Sequence, residues 1–299
     1  MSTDINLYYW DGVSNLGDIL SEYIIRKISE NNVVIKNPFI KKMGYLNQFF
    51  RNLIGIENSY SYYKERKLKH NEEILFAIGS ILDFAPPKSI IWGSGFREYD
   101  SKRDVHKVYA VRGNFTKKLL GKKDENIVIG DPGVLMPLIY PLPNKLESSK
   151  ICFIPHYLEK NQFEQSNINN YTILDIKTTN IEHFVDNLTS YEYILSSSLH
   201  GIIIAHAYGK KALWIKNGFV GSSDFKYFDY FSSLGWYNYP NLNAKLIMEL
   251  NNDEIEALFC KYKNIAIPSK FIIEKMQKDL LRNYPFKLKK RYSNLINDK

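Results

Sequence analysis

The sequence is poor in cysteine, in long apolar runs and in targeting signals, and each shortage excludes a class of protein. Cys152 and Cys260 are its 2 cysteines, and neither has a C-x-x-C partner. They predict buried free thiols rather than a disulfide or a zinc site. The longest apolar windows, such as residues 202–207, are far shorter than the roughly 20 residues of a membrane-spanning helix. No segment has the order of a signal peptide, so we expect a cytoplasmic protein.

Several nucleotide and metal motifs are also missing. The chain has no H-E-x-x-H, no P-loop, no D-x-D and no G-x-G-x-x-G. These patterns position metal ions, ATP phosphates and dinucleotides, and without them such functions lose most of their support. We therefore expect no metal and no cofactor.

Aromatic and basic residues, in contrast, are abundant. The 299 residues include 22 Tyr, 17 Phe and 4 Trp, and the formal net charge is +8. Seven Lys or Arg fall within residues 41–70 among many aromatic residues, and five more lie within 282–291 without an acid. This pattern fits a solvated basic face or attraction to an anionic membrane surface. Nucleic acid is disfavoured because no recognition motif is present.

Short apolar runs alternate with helical patterns along most of the chain. Buried parallel strands are runs of this kind, so the pattern predicts an α/β protein with parallel sheets. A proline-rich break at residues 137–149 suggests a linker. We predict two Rossmann-like α/β domains facing each other across a cleft, at residues 1–140 and 147–280, followed by a basic tail at 281–299. Strand-end loops of both domains would then meet in one site.

The strongest candidate site is the segment Ser196-Ser197-Ser198-Leu199-His200-Gly201, which joins a predicted strand to a predicted helix. A helix start offers free backbone N–H groups and a positive dipole end, both suited to phosphate or carboxylate. Ser198 fits an N-cap, and His200 fits a phosphate donor or a proton carrier. The alternative is an ordinary capping turn. His206 lies on another helix face, and we interpret it as packing.

Other polar and small residues also follow predicted strands. Arg112 could fork two hydrogen bonds onto a phosphate or carboxylate, or be an ordinary surface arginine. Asp131 could serve the site or only its turn. The remaining strand-end residues are Asn15, Gly17, Asp18, Gly79, Ser80, Gly93, Ser94, Gly95 and His156.

Taken in order, these motifs resemble the polysaccharide pyruvyltransferase family, most closely its bacterial exopolysaccharide-modifying branch. The resemblance covers about residues 7–236. The motifs that carry it are Asn15-Leu16-Gly17-Asp18, Ile78-Gly79-Ser80, Trp92-Gly93-Ser94-Gly95-Phe96, Val111-Arg112-Gly113, Gly130-Asp131-Pro132, Ile154-Pro155-His156-Tyr157, Ser196 to Gly201 and Phe225-Lys226-Tyr227-Phe228-Asp229-Tyr230. It implies a GT-B-like pair of domains, the first on the acceptor side and the second on the donor side. It also implies transfer of a pyruvyl group from phosphoenolpyruvate to two sugar hydroxyls, forming a cyclic ketal.

The resemblance also implies roles for individual residues. His200 would be the general acid, and Asp131 or Asp18 the base. Ser197, Ser198 and the backbone at Leu199 would hold the donor phosphate, with Arg112 as a clamp. Many family members carry arginine where this chain has Ser198, so the missing charge would come from one of three residues: Arg112, His156 or Lys216.

The acceptor is expected to be a sugar, carried on a lipid diphosphate at the membrane surface. Aromatic residues within 45–63 could stack on sugar faces there, and nearby basic residues could meet the diphosphate. Two other functions remain open on the same fold. They are a nucleotide-sugar glycosyltransferase and a catalytically inactive glycan-binding protein.

Overall fold

The strands form two parallel sheets in a computed structural model that describes residues 4–10, 15–36, 72–121, 126–142, 149–164, 171–217 and 223–297. The first sheet has the order β2-β1-β3-β4-β5-β6. Its strands are β1 (Ile5–Tyr8), β2 (Val33–Ile35), β3 (Leu75–Phe76), β4 (Ile90–Trp92), β5 (Lys107–Val111) and β6 (Val128–Ile129). Every neighbouring pair is parallel. Because parallel strands share one direction, the loops that follow them gather at one edge.

The second sheet has the order β10-β9-β7-β8 and is parallel as well. Its strands are β7 (Ser149–Ile154), β8 (Thr172–Ile173), β9 (Tyr191–Ser196) and β10 (Lys211–Trp214). Ile154 pairs with Ser196, so β7 and β9 end side by side. The predicted parallel α/β class is confirmed.

Helices connect these strands and follow them. They are α1 (Leu16–Ile28), α2 (Asn114–Leu119), α3 (Met136–Ile139), α4 (Lys160–Glu164), α5 (Ile181–Thr189), α6 (Leu199–Ala207), α7 (Phe225–Ser233), α8 (Ala244–Ile247), α9 (Asn252–Lys261), α10 (Lys263–Ala266), α11 (Lys270–Arg282) and α12 (Lys290–Asn297). Short 3-10 helices span Leu82–Phe84 and Pro132–Leu135. Within the described ranges, no helix is both long and apolar enough to cross a membrane.

Helix α1 shows why the local sequence folds as it does. Its buried residues include Leu16, Leu20, Ile24 and Ile28, spaced four apart on one face. Asn15 caps the helix, and its Oδ1 accepts a hydrogen bond from the amide of Gly17 at 2.9 Å. The cap fixes where the first strand-end loop turns into the helix.

The two halves of the chain pack on each other. One apolar cluster contains residues of both sheets. Helix α11 returns to the first sheet, where Leu280 O accepts a hydrogen bond from Trp92 Nε1 at 3.1 Å. Nearby, Gln277 Nε2 donates to Val134 O at 2.7 Å. These contacts join the two halves of the chain. The boundaries of the two predicted domains stay predictions.

Some sequence-based predictions differ from the structure, and others fall on residues outside the described ranges. Cys260 is exposed on α9, so the prediction that both thiols are buried is wrong for Cys260 and confirmed for Cys152. The segment predicted as a basic tail contains α12, on which Tyr292 is buried. The aromatic and basic segment 41–70 lies outside the described residues, as do residues 143–148 of the predicted linker.

Candidate active site

A cavity of about 180 Å³ lies where loops following strands of both sheets meet. Eight of the residues selected from the sequence line it, namely Asn15, Asp18, Gly79, Ser80, His156, Ser198, Leu199 and His200. The other lining residues are Trp10, Ile81, Phe84, Arg97, Tyr157, Leu158, Ile176 and Lys226. The topology thus collects side chains from positions more than 200 residues apart into one small volume.

His200 lies in the first turn of α6, two residues after the N-cap residue Ser198. The Ser198 side chain makes no capping hydrogen bond. Because the first amides of a helix have no intrahelical partner, the start of α6 presents N–H donors to the cavity. This is the geometry that the serine-rich strand end predicts.

His200 Nε2 faces the carboxylate of Asp131, with 4.0 Å between Nε2 and Oδ2. Among the described residues, neither atom has a hydrogen-bond partner. The other carboxylate oxygen, Oδ1, accepts a hydrogen bond from the amide of Gly133 at 2.9 Å and caps the 3-10 helix. Asp131 is therefore held by its turn and also aimed at the imidazole.

The surroundings shift the pKa of both groups. Burial, then the charges of Arg112 and Lys226, lowers the pKa of His200 to about 3. Burial also raises the pKa of Asp131 to about 6, against the opposing effects of the Gly133 amide and Arg112. His200 is consequently neutral at pH 7 in this state. An anion bound nearby would offset the cations and raise the pKa of His200, since opposite charge favours the protonated imidazole.

The first loop brings an acid to the same cavity. Asn15 Nδ2 donates to Asp18 Oδ2. Gly17, between these two residues, lets the helix backbone approach His200. The motif Asn15 to Asp18 therefore places the Asp18 carboxylate at the cavity. Its glycine also leaves room for the His200 imidazole.

Arg112 does not lie where the sequence predicts. Its side chain is fully buried and does not line the cavity. Nε forms an ion pair with Asp229 Oδ2 at 2.9 Å, Nη2 donates to Phe96 O at 2.7 Å, and Nη1 donates to Ser80 Oγ at 2.6 Å. Within the described ranges, Ser80 is the cavity-lining side chain that Arg112 contacts by a hydrogen bond, and the guanidinium does not lie in the position of the predicted clamp.

The glycine-rich segment after β4 supports this arginine. A Cβ at Gly95 would lie 2.5 Å from the guanidinium carbon of Arg112. Gly93 has a φ of 102°, a conformation that favours glycine. Ser94 is buried. These three predicted cleft residues do not line the cavity. Gly95 lies against the Arg112 guanidinium, Ser94 O accepts a hydrogen bond from the Arg112 amide, and Gly93 lies against Pro132.

Two other predicted donor-binding residues are engaged elsewhere. Ser197 Oγ donates to the buried Glu159 and accepts a hydrogen bond from the amide of His156 at 2.9 Å. Ser197 therefore joins the ends of β7 and β9. Lys216 forms an ion pair with Asp224 and does not line the cavity. Neither side chain reaches the position that the resemblance implies.

Sequence reasoning missed three charged residues at or behind the cavity. Arg97 and Lys226 line it, and Asp229 holds Arg112. Lys226 and Asp229 belong to the last motif that carries the resemblance, and Arg97 directly follows the motif ending at Phe96. The motifs therefore contain or adjoin these charged residues. The sequence does not show, however, whether a charged side chain on an aromatic helix faces the cavity or solvent.

Comparisons with known proteins find one family model and one relative. The family model for polysaccharide pyruvyl transferase matches residues 15–218, more than half of the chain. An uncharacterised protein of Acanthamoeba polyphaga mimivirus is 27% identical over 254 residues, covering 76% of this chain and 84% of that protein. No solved structure matches significantly. The matched range contains His200, Asp131 and the capped loop at Asn15, and the chain belongs to the polysaccharide pyruvyl transferase family.

Proposed function

We propose that the protein transfers the pyruvyl group of phosphoenolpyruvate to two hydroxyls of one sugar, forming a cyclic ketal and releasing phosphate. The observation that carries the proposal is that His200, in the first turn of α6, faces the Asp131 carboxylate at 4.0 Å and lines a cavity that Arg97 and Lys226 also line. A proton carrier beside an anion-binding helix start suits a donor that has a phosphate, a carboxylate and a carbon to be protonated.

The proposed reaction balances as follows. A proton adds to C3 of the donor, which becomes a methyl group and leaves C2 electrophilic. One sugar hydroxyl bonds to C2 and gives up its proton. The C2–O bond to phosphate then breaks, and the second hydroxyl bonds to C2 and closes the ring. One of the two hydroxyl protons replaces the proton used at C3, and the other leaves with the phosphate or passes to solvent.

His200 is the proposed acid for C3. Its pKa of about 3 is too low for this role by itself, and the donor's negative charge would raise that pKa. Asp131 would stabilise the imidazolium that forms, as a buried carboxylate does for a catalytic histidine. Asp18 lines the cavity, whereas Asp131 is fully buried. We therefore propose Asp18 as the base that accepts the proton of a sugar hydroxyl.

The proposed acceptor is a sugar on a lipid diphosphate, reached at a membrane surface. The net charge of +8 and the basic stretches support attraction to anionic lipid. Cosedimentation with phosphatidylcholine vesicles, with and without phosphatidylglycerol, tests this part. We expect binding only to the anionic vesicles and its loss at high salt. Equal binding to both vesicles, or to neither, contradicts it.

The reaction itself is tested by incubating the protein with phosphoenolpyruvate and a panel of galactosides and mannosides. Mass spectrometry would detect the pyruvyl group on the sugar, and a phosphate assay would give one phosphate per ketal. Parallel samples contain nucleotide sugars in place of phosphoenolpyruvate. Sugar transfer from these donors would support a glycosyltransferase instead. Glycan binding without turnover of either donor would support an inactive binding protein.

A further inference from the structure

The side chain of Lys226 is a cation that lines the cavity, and the reaction proposed above gives this cation no role. It lies in the first turn of α7 and lines the same cavity as Ser198 and His200. Across the described ranges, no carboxylate lies within ion-pair distance of its Nζ atom, and its nearest polar partner is His156 Nε2 at 3.5 Å. Lys216 and Lys211, in contrast, are paired with Asp224 and Glu192.

The charges around Lys226 leave its ammonium poorly compensated. Burial, followed by Arg97 and Arg112, lowers the pKa of Lys226 to about 8, and Glu159 and Asp18 only partly oppose this. The ammonium form therefore still predominates at neutral pH. An anion placed beside it would gain a charge-assisted hydrogen bond and relieve the repulsion between cations.

Contacts made by residues that follow Lys226 fix its helix against the site. Tyr227 OH donates to Ser197 O at 2.6 Å, at the end of β9. One turn later, Asp229 binds Arg112 and accepts hydrogen bonds from the amide and hydroxyl of Thr116 at 2.8 and 2.7 Å. Lys226 is thus held in place before any ligand arrives, which lowers the cost of ordering it on binding.

Helix α6 also borders the cavity, but Ser198 at its start carries no charge. Ser198 is the N-cap residue of α6, and its side chain makes no capping hydrogen bond. Besides Arg97, the cavity therefore has a neutral anion-binding helix start on α6 and a cation on α7. A small acid with two anionic groups matches this pair of features.

We propose that Lys226 binds an anionic group of the donor, phosphate or carboxylate, and supplies the charge that Ser198 lacks. This inference rests on the proposed function for the identity of the donor, phosphoenolpyruvate. It makes Lys226 a determinant of donor affinity, in place of Arg112, His156 or Lys216. It also makes positions 198 and 226 alternative locations for one positive charge.

The test measures phosphoenolpyruvate affinity by calorimetry for the wild type and four variants. These are Lys226→Met, Lys226→Arg, the double variant Lys226→Met with Ser198→Arg, and the exposed control Lys275→Met. Loss of one charge-assisted hydrogen bond predicts a Kd roughly 10- to 100-fold higher for Lys226→Met. We expect Lys226→Arg and Lys275→Met to bind within a few fold of the wild type. We expect the double variant to regain most of the loss.

Unfolding midpoints for all variants show whether a loss of affinity reflects a loss of folding. Unchanged affinity in Lys226→Met overturns the inference. Failure of Ser198→Arg to restore any affinity overturns the exchange between the two positions. Inorganic phosphate as a second probe separates this inference from the proposed function. Phosphate binding that depends on Lys226, without any binding of phosphoenolpyruvate, would support the anion site and contradict the proposed donor.

Discussion

The imidazole ring of His200 lies directly against Gly17, so closely that a Cβ at position 17 would fall 2.0 Å from Nδ1. Side-chain Cβ atoms do not approach other atoms so closely, and either the ring or α1 would have to move. The first loop of the chain therefore sets the position of a histidine that follows it by more than 180 residues. Glycine is needed here for close approach, not for an unusual backbone conformation.

We expect Gly17→Ala to reduce phosphoenolpyruvate-dependent phosphate release by at least about 100-fold, because small displacements of catalytic groups are costly. Gly121→Ala is a matched control. Gly121 has a φ of 64°, and no atom of the described residues lies within 4 Å of the position that a Cβ would take there. Alanine should therefore cost about 1 kcal/mol of stability without affecting activity. Urea unfolding and phosphate-release assays on both variants check this. Normal turnover in Gly17→Ala would contradict the proposed importance of His200 placement.

His200→Ala removes the proposed acid. General acid catalysis contributes roughly 100- to 10,000-fold, so we expect kcat to fall within that range. The amides at the start of α6 remain, and donor affinity should change by only a few fold. Phosphate release at saturating phosphoenolpyruvate and acceptor measures kcat. A rate near that of the wild type would show that another group protonates the donor.

The buried ion pair between Arg112 and Asp229 can be tested by a double-mutant cycle. Arg112→Met leaves the buried carboxylate without its cation, and Asp229→Leu leaves the guanidinium without its anion. Each change should destabilise the fold by about 3 to 5 kcal/mol. The double variant should lose less than the sum of both, as measured by urea unfolding. If Arg112→Met instead keeps its stability and loses only donor affinity, the clamp predicted from the sequence is correct.

The two thiols should react at very different rates. Cys260 is exposed, whereas Cys152 is buried on β7, and burial raises the pKa of the Cys152 thiol well above its ordinary value. A thiol-specific chromogenic reagent should therefore label one cysteine in the native protein and the second only after unfolding. The variant Cys260→Ser should abolish the fast phase. A native protein in which both thiols react rapidly would contradict this.

The sequence predicts most of the fold because buried parallel strands are short apolar runs bounded by polar or glycine turns. The pattern of apolar runs predicts a strand at residues 107–111, and β5 has these bounds, Lys107–Val111. It did not predict the edge strand Val33–Ile35, whose last two residues are only partly buried. Pro137 suggested a break, yet it lies in the first turn of α3, where the absence of a proline N–H costs nothing.

The site was predicted less completely, because sequence spacing does not show which side chains satisfy one another. Arg112 and Ser80 both follow strands of the first sheet, so both were expected in the cleft. Only tertiary structure shows that Asp229, 117 residues away, binds the guanidinium. The prediction that Cys260 is buried is wrong for a related reason. Phe259 faces the core of the fold, and the next residue on a helix points elsewhere.

Asp131→Asn should stabilise the fold while impairing the reaction. The pKa of Asp131 rises from its ordinary value of 3.8 to about 6 on folding, so the native state holds this proton more tightly than the unfolded state. Stability is then lost as the pH rises from about 4 to 6, and the full cost persists above 6. Asparagine resembles the protonated acid, and its oxygen can still accept the hydrogen bond from Gly133.

We therefore expect Asp131→Asn and the wild type to be equally stable near pH 4. At pH 7.5 the variant should be more stable by about 2 to 3 kcal/mol, since each pKa unit corresponds to about 1.4 kcal/mol. Its activity should fall, because an amide cannot stabilise the imidazolium of His200 as a carboxylate does. Urea unfolding at both pH values measures the difference, with the exposed Asp100→Asn as a control that should show none. A stability difference for Asp131→Asn that does not vary with pH would mean that this carboxyl does not titrate on folding as its burial implies.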